Sequence, residues 1–145
     1  PESGLTQEQA DGRYLQLNSD AMITGDVTFK YGADFDGSKI TSVGTPVNGS
    51  DGANKAYVDS KAPSSVTVTL TTSGWSSNTQ TVTVSGVVAS ETAQLITPTP
   101  AIASQSAYYE AGIMCTNQGT NSLTFTCQTV PTSNLTVYVV IQPLS

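Results

Sequence analysis

The stretch VGTPVNGSDGANKAYVD, Val43 to Asp59, decides how the chain is read. An extended piece runs into a Gly/Asn turn and then into a helix barely three turns long, SDGANKAYVDSK, ending at Lys61. Ser50 or Asp51 is the expected cap, with Asp51 at the positive end of the helix dipole and Lys61 at the negative end. Isolated helices shorter than roughly 12–15 residues are marginal in water, so something has to pack against this one. Ala53, Ala56, Tyr57 and Ser60 recur at three- and four-residue spacing. Small side chains with one tyrosine suit close contact with other helices, and these four are the candidate subunit-contact residues.

The sequence before this helix offers no core to cover. GLTQEQ carries a capping-box pattern, with Thr6 as cap and Gln9 three residues on, but Gly12 limits the helix to a turn or two. Short apolar alternations follow (Tyr14/Leu15/Leu17, Val27/Phe29, Ile40/Val43), broken every few residues by Gly, Asp or Asn. Too few large apolar residues are present to bury much surface, and small chains fold alone with difficulty. Such segments make poor monomers but reasonable parts of an intertwined oligomer.

After the helix the composition changes. All five basic residues lie in the first 61 positions, and from Ala62 onward the only charges are Glu91 and Glu110. Between Ser64 and Ser145, 29 of 82 residues are Ser or Thr, which places a boundary at residues 62–65, through Ala62-Pro63-Ser64-Ser65. Long alternation follows: SVTVTLTTSGW, NTQTVTVSGV, AQLITPTP, YYEAGIMCT, NSLTFTCQTV and NLTVYVVIQP. About six strands rich in Val, Ile, Thr, Phe and Tyr, separated by turn signals, predict a β-sandwich over residues 66–145. The run Val137–Ile141 predicts a strand covered on both faces, either central or at a subunit contact.

Two stretches resemble a known family. ADGRYLQLNSDAMITGDVTF is similar to the tail-fibre repeat of bacteriophages, in which an ADxRYL box precedes MTGD and a short strand. ITSVGTPVNGSDGANKAYVDSK resembles the companion element of the same proteins, with Ser42 where Asn is common and Gly52 where Ala is common. Together they cover about residues 5–61. The resemblance implies a homotrimeric, elongated stem over residues 1–61, wound about a threefold axis and acting as a spacer to the tip. The expected class is therefore mainly β: an intertwined trimeric fibre stem with short helices, then a β-sandwich head. Expected partners are two further copies, other virion proteins, and a glycan or protein of the host surface; the expected location is the virion. The alternative is an architectural protein of the capsid or fibre attachment, with no receptor of its own.

Charge and chemistry narrow the function classes. The chain has 11 acidic and 5 basic residues, no histidine and a net charge of −6, which argues against nucleic acid and against anionic membrane surfaces. No apolar run approaches 18 residues, so no membrane insertion is expected. The first residue is Pro1, so upstream sequence is expected. With no histidine and only Glu91 and Glu110 in the second half, no catalytic residues, metal or cofactor are expected. Asp34, Asp36 and Gly37 read as a turn, lacking the distant Glu of a calcium loop. Asn48 and Asn134 match glycosylation acceptors, relevant only in a secretory host.

Cys115 and Cys127 are a candidate disulfide. A tight hairpin through Asn117–Asn121 puts Cys115 opposite Leu123 and Cys127 about four residues further on, too far to bridge at about 3.4 Å per residue. A looser loop or another strand pairing leaves the bond open. Trp75, Tyr108 and Tyr109 are the candidate receptor-binding residues, with Tyr138 a further aromatic of interest. Aromatics in loops stack on sugar rings or anchor protein partners, the competing role being a core lid or a subunit contact.

Overall fold

The computed structural model describes residues 4–6, 8–9 and 24–144. Contacts divide the chain into two units, Pro1–Thr41 and Ser42–Ser145. The division thus falls upstream of the expected joint at 62–65, and the helix-bearing stretch from Val43 goes with the strands that follow it.

In the first unit the capping box is formed: Thr6 N donates to Gln9 Oε1 at 3.0 Å and Gln9 N to Thr6 Oγ1 at 3.2 Å. The ADGRYL stretch, Ala10 to Leu15, lies outside the described residues. Residues 24–41 are extended, with turns but no strand pairing. At Phe35–Ser38 the chain reverses through Asp36 (φ 46°) and Gly37 (φ 73°), closed by Ser38 N to Phe35 O at 2.8 Å. Two successive positive φ values make a tight type I′ turn, which Asp-Gly favours. Asp34 Oδ1 accepts from Asp36 N at 2.9 Å, so the Asp34 carboxylate serves a turn, as expected.

The second unit opens with a helix shorter than expected, α1 (Lys55–Lys61). Its cap is Asn54, whose Oδ1 accepts from Tyr57 N at 2.8 Å and whose Nδ2 donates to Val43 O at 3.0 Å. Ser50 and Asp51, expected to cap, lie a turn upstream of it. Asp51 Oδ2 instead accepts from Val47 N and Asn48 N, each at 2.8 Å, and closes the preceding turn. The amides of Asn48 and Val47 hold its carboxyl below the ordinary value. Lys55 pairs with Asp59 along the helix. Pro63 ends α1 by holding Ala62 in an extended conformation (ψ 144°).

Six strands follow: β1 (Ser64–Leu70), β2 (Thr79–Thr83), β3 (Gln94–Pro100), β4 (Met114–Gly119), β5 (Ser122–Thr126) and β6 (Leu135–Pro143). They form two three-stranded antiparallel sheets, β1-β6-β3 and β2-β5-β4. The class is mainly β with a few short helices. YYEAGIMCT, expected to be a strand throughout, is divided: Tyr108 and Tyr109 lie on a second helix, α2 (Gln105–Glu110), and only its end enters β4.

Period-two patterning sets the core. In β6, Leu135, Val137, Val139 and Ile141 are buried, and in register β1 contributes Val66, Val68 and Leu70. The other sheet adds Leu123 and Phe125 from β5 to the same cluster. Strand β6 is central in its sheet, but its second face is open: Tyr138 and Val140 are exposed within this chain. The edge strand β3 carries Pro98 and Pro100. Ala101 N donates to Thr136 O at 2.9 Å, so by alternation the nitrogens of Pro98 and Pro100 face away from β6. Proline there costs no ladder bond and blunts the free edge.

Amide side chains fasten the loops of this nearly uncharged region. Gln94 bonds Gly86 O and Val88 N, each at 2.9 Å. Gln118 Nε2 reaches Val88 O at 2.9 Å, and Asn121 Oδ1 accepts from Gly86 N at 2.9 Å. Asn78 holds the carbonyls of Cys127 and Gln128.

Candidate functional site

The three aromatic candidates occupy different environments. Trp75 follows a short 3-10 turn, Thr72–Gly74, and packs partly buried against the core, with its indole Nε1 buried and unpaired. Gln80, only 6% exposed, points inward from β2 and donates from Nε2 to Thr71 Oγ1 at 3.1 Å. Gly74 is small for a reason: a methyl group there would stand 1.8 Å from Gln80 Nε2 and 2.7 Å from Thr71 Oγ1. Tyr108 is buried in the core. Burial pushes its phenol up to about 12, with the Cys115 thiol and Tyr109 adding to the effect. Tyr109 is 63% exposed and meets Tyr108 edge-on, with ring centroids 5.5 Å apart at 86°. The structure therefore brings one of the three, Tyr109, to solvent.

Beside α2 lies an open cleft of about 230 Å³ lined by Ala107, Glu110, Ala111 and the Thr129–Thr132 loop. Glu110 accepts there from Ser106 Oγ at 3.1 Å. Ile102, 92% exposed just before α2, belongs to the same stretch of chain and was missed at the level of sequence. Its signal was weak, a lone isoleucine between alanines after Pro100. A second, larger groove of about 340 Å³ runs between the edge strands β3 and β4, lined by Glu91, Gln94, Leu95, Asn117 and Gln118 among others. Glu91 and Glu110 thus line different cavities. Among the described residues no group of three or more Cys, Asp or Glu is placed to hold a metal ion.

The cysteines are free thiols, Cys115 exposed and Cys127 buried. The strands run on to Gly119 and Ser122, leaving Thr120-Asn121 as the turn, and a bulge lies between Cys115 and Asn117. Cys115 consequently pairs with Phe125, not Leu123, and Cys127 lies two residues further along. Burial raises both thiols.

The four helical candidates, Ala53, Ala56, Tyr57 and Ser60, are all exposed. Ala53 and Tyr57 border a hollow of about 270 Å³ with Pro46, Val47 and Asp51. Tyr57 lies under the Lys61 ammonium, 5.6 Å from ring centroid to nitrogen. Ser60 Oγ donates to Tyr57 O at 2.6 Å. None of the seven residues of α1 is buried. Among the described residues, no helix is long and apolar enough to cross a membrane. Comparison with protein-family models, with curated proteins and with solved structures gave no match for this chain.

Proposed function

We propose that this chain is a structural and host-attachment module of a bacteriophage fibre. In this reading residues 1–61 form a stem wound from three copies, and the two sheets are the layers of a sandwich head that contacts a host-surface receptor. One observation carries the reading: from Thr24 to Pro63 no described residue is buried, although the segment holds Val27, Phe29, Tyr31, Phe35, Ile40, Val47 and Val58. Burial of one such side chain stabilises by about 1.5–3 kcal/mol, and a single copy gains little of that here. The turns and caps of this segment are nonetheless specific, as the two amides on Asp51 and the Asn54 bonds indicate. Specific local geometry with no covered face favours a segment that folds against copies of itself. The resemblance of residues 5–61 to tail-fibre repeats supplies the number three.

The head reading is non-catalytic, since its two carboxylates line separate cavities. Receptor contact is assigned to the α2 end, where Glu110 lines the open cleft and where Tyr109, next to it on the helix, and Ile102, just before the helix, are exposed. Three shallow sites on one fibre would act through avidity. The architectural alternative draws on the burial of Tyr108 and the packing of half-buried Trp75 against the core, which leave Tyr109 as the one exposed receptor candidate of the three. Binding of the labelled full chain to host cells separates the two. An attachment module binds saturably and loses binding on Tyr109→Ala; unsaturable binding, unchanged in that variant, rejects the receptor role. Release of sugar from host polysaccharide would instead reveal a depolymerase.

A further inference from the structure

The outer faces of the two sheets differ in a way the trimer reading does not require. On the β2-β5-β4 sheet the outward positions of β2 and β5 are all hydroxyls, with Thr81 and Thr124 joined across the pair at 2.9 Å. Met114, at the β4 edge, is the large apolar side chain on that side. On the β1-β6-β3 sheet the outward centre is Tyr138, 48% exposed, flanked in register by Thr67 and Thr99. Val140 follows two residues on, and Leu95 stands exposed on β3. Neither sheet has a charged residue in its strands, so repulsion opposes a contact on neither face, and it is the exposed Tyr138, Val140 and Leu95 that set this one apart.

Position supplies the occupant. Only Ala62 and Pro63 separate α1 from β1, whose first residue, Ser64, pairs with Ile141 of β6. Exposed Tyr57 and Val58 of the helix therefore lead onto the strand that displays Tyr138 and Val140. Copies brought together along α1 would also bring together their β1 strands, which begin two residues after the helix. The area fits a supplementary contact. Three strands about 4.8 Å apart and seven residues long at about 3.4 Å each present roughly 300 Å². A stable interface takes about 800 Å² per partner, so the remainder falls to α1 and the stem.

We infer that the outer face of the β1-β6-β3 sheet, centred on Tyr138, is the surface by which neighbouring copies meet, and that the hydroxyl face of the other sheet points away from the axis. The inference rests on the trimer reading. Its test keeps the two apart by placing a benzophenone amino acid at Tyr138 or at Thr124 of the full chain, sedimenting each protein, and irradiating it. Both are expected at three times the chain mass, with covalent chain-to-chain products from position 138 and none from 124. A trimer that cross-links through 124, or through neither position, overturns the face assignment and leaves the trimer standing. A lone chain in sedimentation overturns the trimer reading and this inference with it. As a second measure, Tyr138→Lys should raise the concentration at which the oligomer dissociates at least tenfold, and Thr124→Lys by less than twofold; equal effects reject the assignment.

Discussion

Gly74→Ala probes the packing of Gln80 and Thr71 around Gly74. The new methyl would stand 1.8 Å from Gln80 Nε2, 2.6 Å from its Cδ and 2.7 Å from Thr71 Oγ1, all far inside contact distance. A flexible surface amide would swing aside at little cost. Gln80 has no such freedom: it is 6% exposed, sits opposite Phe125 on β2, and points into the core. Relief therefore requires breaking the Gln80–Thr71 hydrogen bond and moving a buried amide whose Oε1 already lacks a partner. Leaving a buried polar group unsatisfied costs about 1–3 kcal/mol, and overpacking costs about the same. A loss of about 2 kcal/mol corresponds to a fall of roughly 8–16 °C in the midpoint of a domain this size. Thermal unfolding followed by Trp75 fluorescence, at one fixed protein concentration, reads the change. The double variant Gly74→Ala/Gln80→Ala removes the clash, so its loss should be smaller than the sum of the two single losses by at least about 0.5 kcal/mol. A Gly74→Ala protein melting within 2 °C of wild type, or strict additivity in the double variant, would refute the reasoning.

Other substitutions address the core and the titrating groups. Leu123→Ala, at a fully buried position of β5, should cost about 2–5 kcal/mol in denaturant unfolding, whereas Ile102→Ala, 92% exposed, should stay within about 0.5 kcal/mol. Tyr108 ionises at about 12 in the folded chain against 10.0 when unfolded, so its contribution is intact below pH 10 and is lost as pH rises from there through 12. Tyr108→Phe should flatten that alkaline decline in a urea-midpoint series, and an unchanged decline would remove Tyr108 as its source. Alkylation with iodoacetamide at pH 8 should modify Cys115 in the native protein and reach Cys127 only after denaturation; prompt labelling of both contradicts the burial of Cys127.

Much of the second unit is legible in the sequence because strand faces follow a period of two. Leu135, Val137, Val139 and Ile141 announce the inner face of β6, and Val66, Val68 and Leu70 that of β1. The pattern assigns faces, not neighbours, so the order β1-β6-β3 could not be read from it. The apolar run Val137–Ile141 predicted cover on both sides, but one chain covers only the side of Val137 and Val139. The expectation of a strand beginning at YYEA came from the β-propensity of its tyrosines. Ala107, Tyr108 and Ala111, the residues that turn inward, recur at helical spacing, and Gln, Ala and Glu are good helix formers. The cap of α1 was placed a turn early because Asp51 is a good capping residue in isolation; it is engaged by Val47 and Asn48, leaving Asn54 to cap. Of the site candidates, Tyr109 stands exposed, while Trp75 and Tyr108 pack with the core. Aromatic residues beside turns have equal chemical reason to go either way, and the choice depends on long-range packing of α2 that no local pattern encodes.

The claim on which the proposal stands is that residues 24–63 cover their apolar side chains with other copies. Sedimentation equilibrium of the full chain across a hundredfold concentration range, with amide exchange recorded on the same samples, tests it directly. The account predicts a species of three times the 15.0 kDa chain mass, with slowed exchange at Val58 and Ala62, whose amides bond within α1. A single 15.0 kDa species with those amides equally protected would contradict it.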